Sequence, residues 1–189
     1  NRHLPVGKIS IASAWTLCIL SGVAFMAISY AINWACLILS PIAIVVTCFY
    51  SLTKRFTDFT HIYLGIALAL APIGSWLAVR GQLHIAPVVL AMAVVCWLVG
   101  FDIIYAIQDY DFDRTHGLHS LVVRWGPKNA LQFSFLVHLL MWGLLAIYGL
   151  FSRFWIPYFV ALLVILVCLL LEHWIARRRS LKWINVAFF

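Results

Sequence analysis

The sequence predicts an all-α fold: a polytopic transmembrane helical bundle with six spanning helices in this chain. Of the 189 residues, 65% are hydrophobic and only 10% charged, against roughly 25% charged in soluble domains. Mean hydropathy is +1.03, so a soluble globular domain is excluded. Six apolar stretches, residues 9–32, 34–52, 62–79, 85–107, 130–151 and 154–171, run for 18 to 24 residues each. A helix needs about that length to cross about 30 Å of hydrocarbon at about 1.5 Å per residue. The stretches are apolar all round, whereas the strands of a membrane β-barrel are about ten residues of alternating polarity.

Taken in order, the first stretch is preceded by Asn1 rather than Met and by nothing resembling a signal peptide. The second ends at the basic pair Lys54–Arg55. The third carries Gly65, Ala67, Ala69, Ala71 and Gly74 with Pro72 among them, which predicts close helix packing and a proline kink. The fourth holds Asp102 and opens into the long segment 108–128, after which the fifth and sixth are joined by a short connection. The chain stops at Ala187, Phe188 and Phe189 in what reads as another apolar run. We therefore expect one domain over residues 1–189, an internal piece of a longer protein and incomplete at both ends. Cys18, Cys36, Cys48, Cys96 and Cys168 lie in apolar stretches without CxxC spacing and are expected to be small buried hydrophobes.

A net charge of +7 would suggest nucleic acid in a soluble protein, but here it sorts by membrane side. Alternating the segments puts 11 basic residues on one side, and Arg80 and Arg153 on the other. The positive-inside rule then places both ends, the 53–61 loop and the 108–129 loop in the cytoplasm.

Of six acidic residues, four fall between positions 102 and 113: Asp102, Asp109, Asp111 and Asp113. At about 100° per residue, Asp109 and Asp113 lie at about 340° and 20° from Asp102. A helix continuing past the membrane surface would thus carry these three on one face, with Asp111 opposite. Asp102 lies within the apolar stretch, where an ionisable group calls for an interior position and a partner. Converging carboxylates beside cations suit Mg²⁺, a hard ion that takes oxygen ligands and shares them with phosphate. An EF-hand fails because Arg114 and Ser120 stand where glycine and glutamate are required. A zinc or di-iron site on His116 and His119 lacks a Cys or Glu partner at ligand spacing.

The run from Asp102 through Tyr105, Gln108, Asp109, Asp113, Arg114 and Gly117 to Ser120, followed by Arg124-Trp125-Gly126, resembles the second aspartate-rich motif of the UbiA-type membrane prenyltransferases. Residues 1–10 are similar to the segment after that family's first aspartate-rich motif. Tyr50–Arg55 is similar to its fourth-to-fifth-helix loop, and Glu172-His173 with residues 185–189 to its C-terminal region. The resemblance implies a bundle of about nine spanning helices, of which this chain supplies the third to the eighth, without the first motif NDxxDxxxD. It also implies Mg²⁺-dependent transfer of a polyprenyl chain from a polyprenyl diphosphate to a small aromatic acceptor.

Carried over by position, Asp109 and Asp113 are implied metal ligands, with Asp102 and Tyr105 implied catalytic positions beside them. Arg2 and Lys54, with Arg55 next to it, are implied diphosphate-binding residues, and Gly117 and Ser120 shape the loop. Positive-inside anchoring is the competing reading of Lys54 and Arg55, and the favoured one for Arg177–Arg179. Asp58, His61 and His138 receive no assignment. The quinone branch acting on 4-hydroxybenzoate is the favoured acceptor class, ahead of naphthoate- or futalosine-type acceptors of menaquinone synthesis. A bacterial inner membrane is favoured over a mitochondrial one. Two further readings compete: a CDP-alcohol phosphotransferase, whose DGxxAR pattern is missing, and a non-enzymatic cation transporter, which would place acids at depth in more than one helix.

Overall fold

The computed structural model describes residues 7–177. Arg2, Arg178, Arg179, Lys182 and the segment 185–189 lie outside the described residues. Within them the chain forms α1 (Ile11–Ile32), α2 (Trp34–Tyr50), a 3₁₀ turn (Thr53–Arg55), α3 (Thr60–Arg80), α4 (Ile85–Ala106), the short α5 (Tyr110–Thr115), α6 (Leu121–Phe151) and α7 (Ile156–Ala176). There is no strand among the described residues. Five helices, α1, α3, α4, α6 and α7, are long and apolar enough to cross a membrane, and α2 is apolar but only 17 residues long. The second apolar stretch reaches residue 52, but the chain leaves the helix at Ser51 and turns toward Lys54. Large apolar side chains cover the outer surface, Trp15, Leu17, Ile19 and Leu20 of α1 among them. Exposure of this extent on long apolar helices calls for an apolar surrounding, lipid or further helices, and the protein is an integral membrane protein.

Local chemistry sets the helix ends. Ser10 caps α1 by accepting from Ser13 N–H at 3.0 Å. The Asn33 side chain caps α2 by accepting from Cys36 N–H at 2.8 Å, while its amide donates to Leu77 O at 3.0 Å and ties the α1–α2 corner to the end of α3. Each such cap satisfies one orphan backbone group at a terminus. α6 starts nine residues earlier than the apolar stretch at 130–151 implies. Ser120 caps it through Val123 N–H at 3.1 Å. Gly126 then breaks the helix at φ 78°, ψ 156°, a conformation open essentially to glycine alone, before Pro127 restarts it.

The core sits where α4 meets α6, with α7 and α3 alongside. Val99, Ile103 and Ile104 of α4 pack with Leu121, Val122, Ala130 and Leu131 of α6 and Ala176 of α7. A second cluster joins Ala93 and Cys96 to Met141 and Leu169. The small residues of α3 act unequally: a Cβ on Gly65 would lie 3.0 Å from Val95 O, so this glycine sets the approach of α3 to α4, whereas Gly74 faces open space. Of the five cysteines, Cys96 alone is buried. Cys18, Cys48 and Cys168 are exposed on the apolar surface, so burial was the wrong expectation for them. In a bilayer a small thiol satisfies the same solvent preference facing lipid as facing the core.

Candidate functional site at the basic end of the bundle

The chain does not carry α4 onward through the aspartates. α4 ends at Ala106, Ile107–Asp109 form turns, and α5 begins at Tyr110. The expected continuous face shared by Asp102, Asp109 and Asp113 is therefore broken. Asp109 and Asp113 still lie one turn apart, Asp113 N–H donating to Asp109 O at 2.7 Å, but Asp102 stays behind in α4 with a different partner.

That partner is His61, at the start of α3. Its Nδ1–H donates to Asp102 Oδ2 at 2.7 Å. The His61 side chain is 0% exposed and Asp102 20%. With Nδ1 committed to the carboxylate, His61 Nε2 is buried without a partner among the described residues, as is the neighbouring Thr60 Oγ1. A buried ion in an apolar bundle needs such a donor. Here the helix-spanning pair holds the Asp102 carboxylate in one orientation. Tyr105, three residues further along α4, is about half exposed at 49%.

Asp113 is buried at 2% exposure. Lys54 Nζ donates to its Oδ2 at 3.1 Å from the 3₁₀ turn, 59 residues away in sequence. Three more bonds join the same two segments. His119 N–H donates to Lys54 O at 3.1 Å; His119 Nδ1 donates to Asp58 Oδ1 and Arg124 Nη1 to Asp58 Oδ2, each at 3.0 Å. Leu118 N–H closes the turn onto Asp113 O at 2.9 Å, with Gly117 at φ 64°. The 53–61 and 107–124 segments thus form one polar cap over the end of the bundle.

The donor set suits a hard divalent cation. The half-buried Asp109 carboxylate has no hydrogen-bond or ion-pair partner among the described residues, and Asp113 keeps its second oxygen beyond the one that accepts from Lys54. Two carboxylates one helical turn apart, beside an ammonium group, would hold an oxygen-liganded ion such as Mg²⁺ and a phosphate shared with it. Arg55 and Asp111 are exposed. Ser120 is buried and spent on the α6 cap, and Arg2 lies outside the described residues.

The chain matches the model of the UbiA prenyltransferase family over residues 1–189. It belongs to that family. Among curated relatives, 4-hydroxybenzoate octaprenyltransferase of Francisella tularensis subsp. novicida is 33% identical over 158 residues, covering 82% of this chain and 55% of the relative. The enzyme of the same name from Tolumonas auensis is 27% identical over 180 residues, covering 95% and 63%. The chain thus spans a little over half the length of these relatives. Among solved structures, the apo structure of a UbiA homolog from Aeropyrum pernix K1 superposes with a TM-score of 0.86 at 28% identity, covering 96% of this chain and 70% of that one.

Three polar residues of this family member were not assigned from sequence. His61 and Asp58 act across helices, and the only local sign of either was a lone polar residue near the start of an apolar helix. His138 lies elsewhere, between α4, α6 and α7.

Proposed function

We propose that the protein carrying this chain transfers a polyprenyl chain from polyprenyl diphosphate to an aromatic acceptor, 4-hydroxybenzoate, in quinone biosynthesis. The observation that carries the proposal is the polar cap. It sets the Asp109–Asp113 pair of one loop against Lys54 of the other, at the end of an apolar bundle, in a chain one-third identical to enzymes of that name. An apolar cleft of about 500 Å³ between α1, α2 and α3 offers room for part of a lipid tail. Its lining residue Ala67 is six positions along α3 from His61, about 9 Å at 1.5 Å per residue.

Reaction requires the bond between the allylic carbon and the diphosphate oxygen to break, its electron pair leaving with the diphosphate. A ring carbon of the acceptor then forms the new carbon–carbon bond with that allylic carbon, and its proton passes to the departing diphosphate or to a nearby carboxylate. Asp109 and Asp113 would hold Mg²⁺, which supplies charge neutralisation of the departing diphosphate. Lys54, with Arg55 and Arg2, adds positive charge to the same oxygens, the kind of preorganised stabilisation worth most away from water. Asp102, fixed by His61, presents negative charge toward the allylic cation, with Tyr105 beside it. Gly117 and Ser120 set the shape of the loop carrying the ligands. The apolar walls keep water from the cation. The basic end of the bundle faces the cytoplasm by the positive-inside rule, and a bacterial inner membrane is the proposed location.

The test uses membranes containing the intact protein, labelled polyprenyl diphosphate and Mg²⁺, with 4-hydroxybenzoate and a dihydroxynaphthoate offered in parallel. Label entering 4-hydroxybenzoate, and not the naphthoate, is expected. Labelling of the naphthoate alone would overturn the acceptor assignment, and labelling of neither would overturn the activity.

A further inference from the structure

At about the level of Gly100, α4, α6 and α7 converge on a second polar cluster, separate from the aspartate site. His138 of α6 and Glu172 and His173 of α7 place one ligand-capable atom each within 4.8 Å of one another. His138 is 1% and His173 4% exposed, with the Glu172 side chain at 16%. From these residues we infer a second metal site, for a transition metal of the Zn²⁺ class bound by two imidazoles and a carboxylate.

The hydrogen bonds settle which atoms are available. His138 Nε2 lies 3.1 Å from the Trp97 carbonyl, an acceptor only, so this nitrogen carries the proton and Nδ1 presents a lone pair. His173 Nε2, 2.9 Å from that Nδ1, is then the donor between the rings in the metal-free state. A metal ion would take the His138 Nδ1 lone pair directly and needs His173 only to shift its proton from Nε2 to Nδ1. Glu172 Oε2 lies 3.9 Å from His138 Nδ1. Ligands about 2.0 Å from a tetrahedral ion stand about 3.3 Å apart, and the observed 2.9 and 3.9 Å bracket that spacing.

Two features of α4 are matched to the cluster. The Trp97 carbonyl is the kind of outer partner that fixes the tautomer and orientation of metal-binding histidines. Gly100 makes room for the ring: a Cβ there would collide with His138 Cδ2 and Nε2, while the Gly100 carbonyl accepts from Ser134 Oγ at 2.7 Å, one turn before His138. His173 also lines a cleft of about 590 Å³ with Lys128, Gln132 and Arg177 at its rim. That cleft opens the His173 side of the cluster to solvent. Imidazole selects for Zn²⁺-type ions and the all-oxygen aspartate pair for Mg²⁺, so the two sites would sort ions by ligand chemistry.

The experiment is equilibrium Zn²⁺ binding to the purified intact protein in detergent, after chelator treatment and with excess Mg²⁺ present. Bound metal is read by elemental analysis, and Co²⁺ replaces Zn²⁺ for visible absorption. The wild type should bind about one Zn²⁺ per chain and give the spectrum of a nitrogen- and oxygen-liganded Co²⁺ site. Glu172→Gln and His138→Ala should weaken binding by about tenfold or more, no less than loss of an outer-shell partner does, and Asp109→Asn should leave it unchanged. Glu172→Gln keeps the shape of a partly exposed side chain and so guards against a folding defect in His138→Ala. Binding equal in the wild type and Glu172→Gln, or lost only in Asp109→Asn, would overturn the proposal and leave the cluster as a hydrogen-bonded packing contact.

Discussion

Lys54 and Asp113 show how much depends on a single pair. Asp113 is nearly inaccessible and Lys54 is its cation across the two loops. Lys54→Ala should raise the KM for polyprenyl diphosphate by about tenfold, a loss of about 1.4 kcal/mol, with a smaller effect on acceptor KM; steady-state kinetics in membranes checks this. His61 and Asp102 form the other decisive pair. His61→Leu removes the donor that orients the carboxylate and should lower kcat by about 100-fold, the scale of a misplaced reacting group, while diphosphate binding is retained. Equal loss in kcat and binding would point to collapse of the helix pair instead. That Asp109 and Asp113 lie one turn apart was legible in the sequence because their spacing is local, and four acids in a basic, apolar chain stand out. The partners of Asp102 and Asp58 were not, since His61 is 41 residues from Asp102, and Arg124 is 66 from Asp58. Such contacts depend on how helices pack, which no local pattern records.

At the scale of elements, hydropathy located the long helices, and turn chemistry corrected their ends. α6 begins at a serine cap and passes a glycine break before its apolar run starts, so polar residues hid its first turns. The turn at Ile107–Asp109 parted Asp102 from the other aspartates, a break that helical arithmetic over an assumed continuous helix misses. Gly65→Leu should force α3 away from α4, costing about 1–3 kcal/mol of stability and separating His61 from Asp102; thermal unfolding in detergent and kcat should both fall. Gly74→Ala, whose added Cβ meets open space, should not lower the unfolding temperature. Ser120→Ala should cost about 1 kcal/mol through loss of the cap on α6, read by the same unfolding measurement.

For the whole molecule, the segments 53–61 and 107–124 behave as one unit laid over a bundle whose outer surface is apolar. Asp58 ties that unit together, accepting from both His119 and Arg124. Ion pairs this exposed contribute about 0.2–1 kcal/mol each, so Asp58→Ala should scarcely move the unfolding temperature while loosening the cap and raising diphosphate KM, more so at low salt. As a diphosphate site, the cap should be ion-dependent. The most direct test is binding of a non-reacting polyprenyl diphosphate analogue to the intact protein while Mg²⁺ is titrated, in the wild type and in Asp113→Asn. Binding should be tight and saturate with Mg²⁺ in the wild type, and lose that dependence in Asp113→Asn. Equal, Mg²⁺-dependent binding in both proteins would show that Asp113 does not hold the ion.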